Sequence, residues 1–560
     1  MQYANDVPSV WPAMLMREAA LSSASTNCGS NRLGNAVNLD ALVSREDFET
    51  YTANDDAPVQ QTISIRDLER SAFFYLALRK PDFQRETSEW EAKRVAGLVR
   101  TFIEGDLIPA VILWKHREYL FVIDGSHRLS ALIAWVHDDY GDGERSQKFF
   151  GHSIPAEQME YAKRTRQIVE KEVGSYADHV AAAQNPAPYG PDIVARSRAL
   201  GSRVLNLQWV RGDAAKAEDS FARINQQAAT ITPQELQLIK GRRMPDVMAA
   251  RAIIRRGTGH QYWSSFSNEI QAEIRSIASD TFKLLFEPTL SYPIKSLNLP
   301  AGGSVYAAPT LRMVYDFVNI SVGAVADEID TTGQRTVEFL KRARRAAQLV
   351  ISNAPSSLGL HPAVYFYSWT GKQQPILFLT MADILVDLDR RKKLDEFVKR
   401  RASLEKFIIN HRTLLNQIVR KFGTKDSGKG HLRSFYEKVF ESIGAGKSDA
   451  DIVDALTSDK AFTYLQPSES PYAGVSPTRY SAQVKSGLVM SGLLEHSPKC
   501  AICGGLVPHQ AISVDHKQGR AHGGESNPEN LQLTHPYCNT GFKEGQRHHE
   551  GGDQAWLFGG

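Results

Sequence analysis

The sequence predicts a multidomain α+β protein, and three observations carry that prediction. The first is length. A single hydrophobic core stops growing at about 250–300 residues, so a chain of 560 residues calls for about three parts. The second is periodicity: strand-like and helix-like segments are mixed up to about residue 250, whereas helical spacing dominates from 260 to 490. The third is the clustering of three of the four cysteines between Cys500 and Cys538. The expected division is an arm over 1–60, an α+β domain over 61–258, a mainly helical connector over 259–475 and a small C-terminal domain over 476–560.

Composition narrows the class. Hydrophobic content of 42% with 23% charged residues is ordinary for a soluble globular protein. A formal charge of +3 is close to neutral, so any nucleic-acid surface must be local. No apolar run approaches the roughly 20 residues of a membrane span, and the N-terminus lacks the basic-then-apolar pattern of a signal peptide. Cys28 stands apart from the C-terminal set, which argues against disulfides and for a reducing cytoplasm.

Taken in order, residues 1–60 read as a mobile or partly ordered arm. Ser22 to Asn38 is rich in Ser, Asn and Gly, and Asp55-Asp56-Ala57-Pro58 reads as a linker. Then Pro81-Asp82-Phe83-Gln84-Arg85 precedes Trp90, helical spacing runs over 91–103, and Gly105-Asp106-Leu107-Ile108-Pro109 ends it. Val111–Trp114 and Tyr119–Ile123 read as buried strands joined by a short turn. The second runs directly into Asp124-Gly125-Ser126-His127-Arg128 and an apolar helix over 129–136. A strand, a glycine turn and a helix N-terminus make an anion site, because free N–H groups and the helix dipole point at the ligand. Arg128 and Arg85 would add bidentate phosphate contacts. The alternative is an internal Asp124–Arg128 ion pair that only shapes the turn. Further on, 155–184 reads as a charged surface helix broken by Asn185–Pro191, and Leu205–Val210 as another strand.

These pieces, together with Phe221-Ala222-Arg223-Ile224-Asn225 and Ile231-Thr232-Pro233-Gln234-Glu235-Leu236, resemble the ParB/sulfiredoxin-like domain with a DGQQR or DGQHR motif. That domain heads GmrSD-type modification-dependent restriction enzymes and related phage-defence proteins. The resemblance covers about 60–250. It implies a domain that senses DNA or a nucleotide, with Arg85, Asp124, Gly125, His127, Arg128 and Asn225 handling an NTP. Ser126 stands where the family commonly has Gln, which puts hydrolysis of the nucleotide in more doubt than its binding.

The connector carries no catalytic constellation. Helices are expected at 267–286, 309–322, 337–352, 381–422 and 432–442. Arg390-Arg391-Lys392-Lys393 and Lys399-Arg400-Arg401, with Arg344, Arg345, Arg412, Arg420 and Lys421, would form a stripe tracking a DNA backbone. A solvated outer face interleaved with Asp and Glu is an equal alternative. Gln466 to Pro477 reads as a hinge, and 476–495 as a helix leading into the last domain.

The last domain interleaves two chemistries. Cys500-Ala501-Ile502-Cys503 and His535-Pro536-Tyr537-Cys538 supply three thiolates and one imidazole, a closed tetrahedral set suited to structural Zn²⁺. Between and beside them lie Asp515-His516, Gly523-Gly524, Asn530-Leu531-Gln532-Leu533 and Asn539, which zinc does not need. Hydrolysis of a phosphodiester asks for a base that titrates near neutrality, as imidazole does, and for a cation to offset charge on the phosphate. Lys543, His548 and His549 read as solvated tail residues, with phosphate contacts as the alternative.

This pattern resembles the HNH endonucleases of the zinc-stapled ββα-metal type. The second knuckle opens with His535 instead of Cys, and the final position is Asn539 instead of His. The resemblance implies that His516 is the general base, that Asp515 and Asn539 hold one Mg²⁺ or Mn²⁺, and that Asn530 fixes the loop that orients His516. The expected whole is a cytoplasmic HNH endonuclease with no membrane partner. It would cleave DNA, including modified phage DNA, under control of the N-terminal domain in restriction or anti-phage defence, and the sequence leaves room for a homo-oligomer. The alternatives are a DNA-binding regulator with a non-catalytic zinc domain, and an RNA-cleaving HNH nuclease.

Overall fold

A computed structural model of the chain describes residues 36–46, 59–81, 90–150, 152, 154, 156–228, 237–238, 240–258, 260–290, 294, 296, 298–305, 310–423, 426–467 and 482–543. Gln84, Arg85, Cys28 and most of the expected arm and hinge lie outside these residues, as do His548 and His549.

The strands in chain order are β1 (Ala36–Val37), β2 (Arg45–Glu46), β3 (Thr62–Ser64), β4 (Leu78–Pro81), β5 (Trp90–Glu91), β6 (Val111–His116), β7 (Tyr119–Asp124), β8 (Val204–Trp209), β9 (Ser513–His516) and β10 (Leu531–Thr534). Six of them form one mixed sheet in the order β2-β4-β7-β6-β8-β3. The β6–β7 hairpin is its antiparallel centre, closing at His116↔Tyr119 with Arg117 at φ 52°. Strand alternation sends Val111, Leu113 and Val122 to one face, under the helices Ala92–Glu104 and Ser126–His137. Trp114, Phe121 and Ile123 go to the other, where Ala217 and Phe221 of the helix Ala214–Ala228 cover them.

Residues 36–46 are an ordered part of the expected arm. Val37, Leu39, Leu42 and Val43 are at most 1% exposed and belong to the core of this sheet domain. The polar composition around them hid four apolar anchors. The expected surface helix over 155–184 is two helices, Ala156–Val173 and Tyr176–Gln184. Gly174 at φ 90° breaks them apart, and the Ser175 hydroxyl caps the second by accepting from Asp178 N. Ala162, Val169 and Val173 of the first are buried, so it is part of the core and not an appendage.

A second core gathers described residues from Leu238 to Phe542. Its helices include Pro245–Ile254, Asn268–Phe286, Thr310–Val322, Gln334–Val350, Pro375–Arg390, Leu394–Asn410, Arg412–Phe422 and Asp426–Gly444. Ser267 caps Asn268–Phe286, as its place before an apolar-periodic run suggests. The expected helix over 381–422 is three. Lys392 at φ 57° turns the chain between the first two, and His411 sits between the second and third with neither Gly nor Pro to mark the break. Two members leave the expected basic stripe. Arg401 is fully buried and Arg412 is 8% exposed. Arg344 and Arg345 face Asp280 and Asp389, and Arg391 faces Asp387.

The two cores meet at a buried carboxylate. Asp40, 2% exposed, receives Arg45 at 2.9 Å and Lys80 at 2.9 Å from the sheet domain, and Arg255 at 3.5 Å from the end of helix Pro245–Ile254. Burial alone would raise the Asp40 carboxyl, but these cations hold it well below its ordinary value. No helix among the described residues is long and apolar enough to cross a membrane.

Candidate active site

β9 and β10 form an antiparallel hairpin in which Gln532 faces Asp515, Leu531 faces His516 and Thr534 faces Ser513. The chain then enters the helical turn Cys538–Phe542, giving a ββα unit. One end of this unit is pinned by Cys500, Cys503, His535 and Cys538, whose ligand atoms all lie within 4.8 Å of one another. His535 Nε2 donates to Leu506 O at 3.0 Å, which leaves Nδ1 for the thiols, 3.4 Å from Cys503 Sγ and 3.8 Å from Cys538 Sγ. Hydrogen bonding from Cys503 pulls the Cys500 thiol far down, while the bond shared with Cys500 pushes Cys503 up to about 11 and Cys538 higher still. Three thiols aimed at one point ionise together only around a cation, and this donor set fits tetrahedral zinc.

The zinc set is fastened to the helical body. Arg401 Nε meets Glu405 Oε1 at 2.7 Å, and its other nitrogens reach the carbonyls of Leu358, Gly359 and Leu506. Glu405 Oε2 in turn accepts from Leu506 N at 2.6 Å. Leu506 O thus serves both Arg401 and His535. Gly359, at φ 55°, allows the close approach, since a Cβ there would lie 2.6 Å from Ala511 Cβ and 3.1 Å from His535 Cδ2. Neither Arg401 nor Glu405 is legible as part of a metal site, because they lie about a hundred residues away on a helix without a motif.

The four polar residues are spread along the hairpin: Asn539 meets Ser513 near the zinc end, Asp515 and His516 complete β9, and Asn530 stands before β10. Asn539 Nδ2 donates to Ser513 Oγ at 2.9 Å and to Val514 O at 3.2 Å, so its Oδ1 remains as an oxygen donor. Asp515 is 6% exposed and accepts from Gln532 Nε2 at 2.8 Å. His516 Nε2 lies 3.0 Å from Ser526 Oγ and accepts from Arg520 Nε at 3.4 Å. Asn530 clamps the intervening loop: Oδ1 accepts from Gln518 N at 2.8 Å, and Nδ2 donates to Glu525 O at 2.7 Å and Gln518 O at 3.1 Å.

Lys543 is not a solvated tail residue. Its Nζ lies 2.7 and 2.6 Å from the two oxygens of Asp515 and 3.0 Å from His516 O. The signal available in the sequence was its spacing: four residues after Asn539, it shares that residue's helical face. Gln532 was legible as part of the Asn530–Leu533 run, and strand register alone places it opposite Asp515.

The N-terminal motif is assembled in part. Asp124 ends β7, Gly125 at φ 94° turns the chain, and Ser126 begins the helix. Arg128 is paired to the Asp124 carboxylate and donates to Pro109 O at 3.1 Å, the internal pair that shapes the turn. The His127 ring stacks on Trp90 at 5.8 Å, and Arg94 lies over the same indole at 4.6 Å. Arg85 is outside the described residues, and Asn225 is placed only as a position on the helix Ala214–Ala228.

Residues 65–242 match the family model of the GmrSD restriction endonuclease N-terminal domain, and residues 500–543 match that of the HNH endonuclease. No match was found among the curated proteins or the solved structures. The chain therefore joins a GmrSD-type N-terminal domain to an HNH endonuclease domain, the architecture of a nuclease of the GmrSD restriction type.

Proposed function

We propose that this GmrSD-type nuclease cleaves DNA at the His516 site, with the N-terminal domain licensing the cut. The observation that supports the reading is the zinc-pinned hairpin, with Asp515 and His516 in succession on β9 and Asn539 in the helical turn against Ser513 and Val514. His516 takes the proton from the attacking water. Asp515 and the Oδ1 of Asn539 are the oxygen donors for a divalent ion such as Mg²⁺ or Mn²⁺. When bound, that ion supplies charge to offset the scissile phosphate and the leaving oxygen. Asn530 holds residues 518–525 so that Ser526 and Arg520 keep the imidazole in place.

The N-terminal reading rests on the Asp124-to-Arg128 turn, where His127 and Trp90 offer an aromatic step and Arg94 and Arg128 offer charge. A bound nucleotide phosphate or a modified DNA base there would compete with Asp124 for Arg128. Control of cleavage by that event suits restriction of modified phage DNA.

The test is cleavage of modified phage DNA, unmodified plasmid and RNA with Mg²⁺, with and without each NTP. His516→Ala should abolish cleavage in a zinc-loaded, folded protein, and Arg128→Ala should change the nucleotide response. DNA binding without cleavage in the wild type would instead support the regulator, and cleavage of RNA alone would change the substrate.

A further inference from the structure

The carboxylate of Asp515 already carries a cation. Lys543 Nζ lies 2.7 Å from Oδ1 and 2.6 Å from Oδ2, so the ammonium bridges both oxygens, and it donates a third bond to His516 O at 3.0 Å. Gln532 holds the other side of Oδ2 at 2.8 Å. The Asp515 and Lys543 side chains are only 8% and 21% exposed. A carboxylate in these surroundings has room for one close cation. An ion such as Mg²⁺ takes oxygen ligands at about 2.0–2.1 Å. Placed on Asp515, it would face the ammonium at near-contact range with little water between them, where like charges repel strongly. The four-carbon stem of a lysine lets its head swing away while its backbone stays in the helical turn.

Resting on the reading that Asp515 and Asn539 hold the divalent ion, we propose that Lys543 is a placeholder cation. It neutralises Asp515 until the ion arrives, and it is displaced from the carboxylate rather than sharing it. Metal affinity is thereby set below what the oxygen donors alone would give. The displaced ammonium starts from the His516 carbonyl, within reach of a scissile phosphate presented to His516. A phosphodiester that offers the ammonium a new partner therefore favours metal loading, so metal and substrate bind cooperatively.

The experiment is Mn²⁺ binding, followed by the loss of the free-ion EPR signal, to the zinc-loaded full chain and its Lys543→Gln, Lys543→Arg and Asp515→Asn variants. Lys543→Gln keeps a neutral donor for Asp515 and should bind Mn²⁺ on the order of tenfold more tightly than the wild type. Lys543→Arg keeps the charge and should gain nothing. Asp515→Asn should lose the site. Equal tightening in both Lys543 variants, or no tightening in Lys543→Gln while Asp515→Asn loses binding, overturns the proposal and leaves the metal site standing. Binding indifferent to Asp515→Asn removes the metal reading and the proposal together. A check needing no substitution is Mg²⁺ titration of the wild type with ¹⁵N-labelled lysine. One Nζ resonance should pass from paired to solvated, and the absence of any moving lysine signal refutes displacement.

Discussion

Arg401 and Glu405 form an ion pair that is 0% and 3% exposed at its side chains, with Nε and Oε1 2.7 Å apart one turn along the same helix. Between them they hold both backbone groups of Leu506, whose carbonyl also fixes the His535 ring. The helical body thus reaches the zinc set through two side chains.

Breaking that pair from one side leaves an uncompensated buried charge. Glu405→Gln is expected to cost about 3–5 kcal/mol of stability, read as a lowered urea midpoint. Zinc should also be lost to a chelator faster than from the wild type, because the carboxylate that accepts from Leu506 N and steadies Arg401 is gone. Wild-type zinc release in this variant would show that the pair serves the helices alone.

Zinc removal should be felt locally first. Structural zinc sites contribute folding energy directly. Chelation should therefore raise hydrogen exchange over Cys500–Leu506 and across the β9–β10 hairpin before it does so in the helix Leu394–Asn410. Exchange measured by mass spectrometry checks the order.

Asn530 makes three side-chain bonds that close the loop between β9 and β10. Asn530→Ala should lower the rate of cleavage by roughly 10²-fold through misplacement of His516, with zinc content unchanged. A loss of zinc in the same variant would point to a folding role instead.

His361, 4% exposed and 3.0 Å from Ser497 Oγ, is pushed down to about 4 by burial. The unfolded chain protonates this ring near 6.5. Between those values the unfolded state carries the extra proton, so stability is complete above about pH 6.5 and falls as the pH drops to about 4. The loss is bounded at roughly 3 kcal/mol. Urea unfolding of the wild type and His361→Gln from pH 4 to 7 should show a smaller pH dependence in the variant.

Much of the chain was readable before the fold. The β6–β7 hairpin and the turn at Gly125 follow from short-range alternation and one glycine, and the zinc set follows from residue type and spacing. The helix Asn268–Phe286 was equally legible from its spacing. These are signals that neighbours in sequence carry.

What the sequence by itself determined is which groups the C-terminal residues supply: three thiols and an imidazole that fit zinc, and beside them a second imidazole, a carboxylate and two amides. Only the tertiary structure decided which charges meet. Lys543 bridges Asp515, Arg401 leaves the expected basic stripe for the zinc loop, and Arg255 joins Asp40 across two cores. Residues 36–46 enter the sheet domain for the same reason. A charged side chain carries no local mark of its partner, since pairing is settled by how elements pack and how much water they exclude. Local pattern names the groups, and burial assigns their partners.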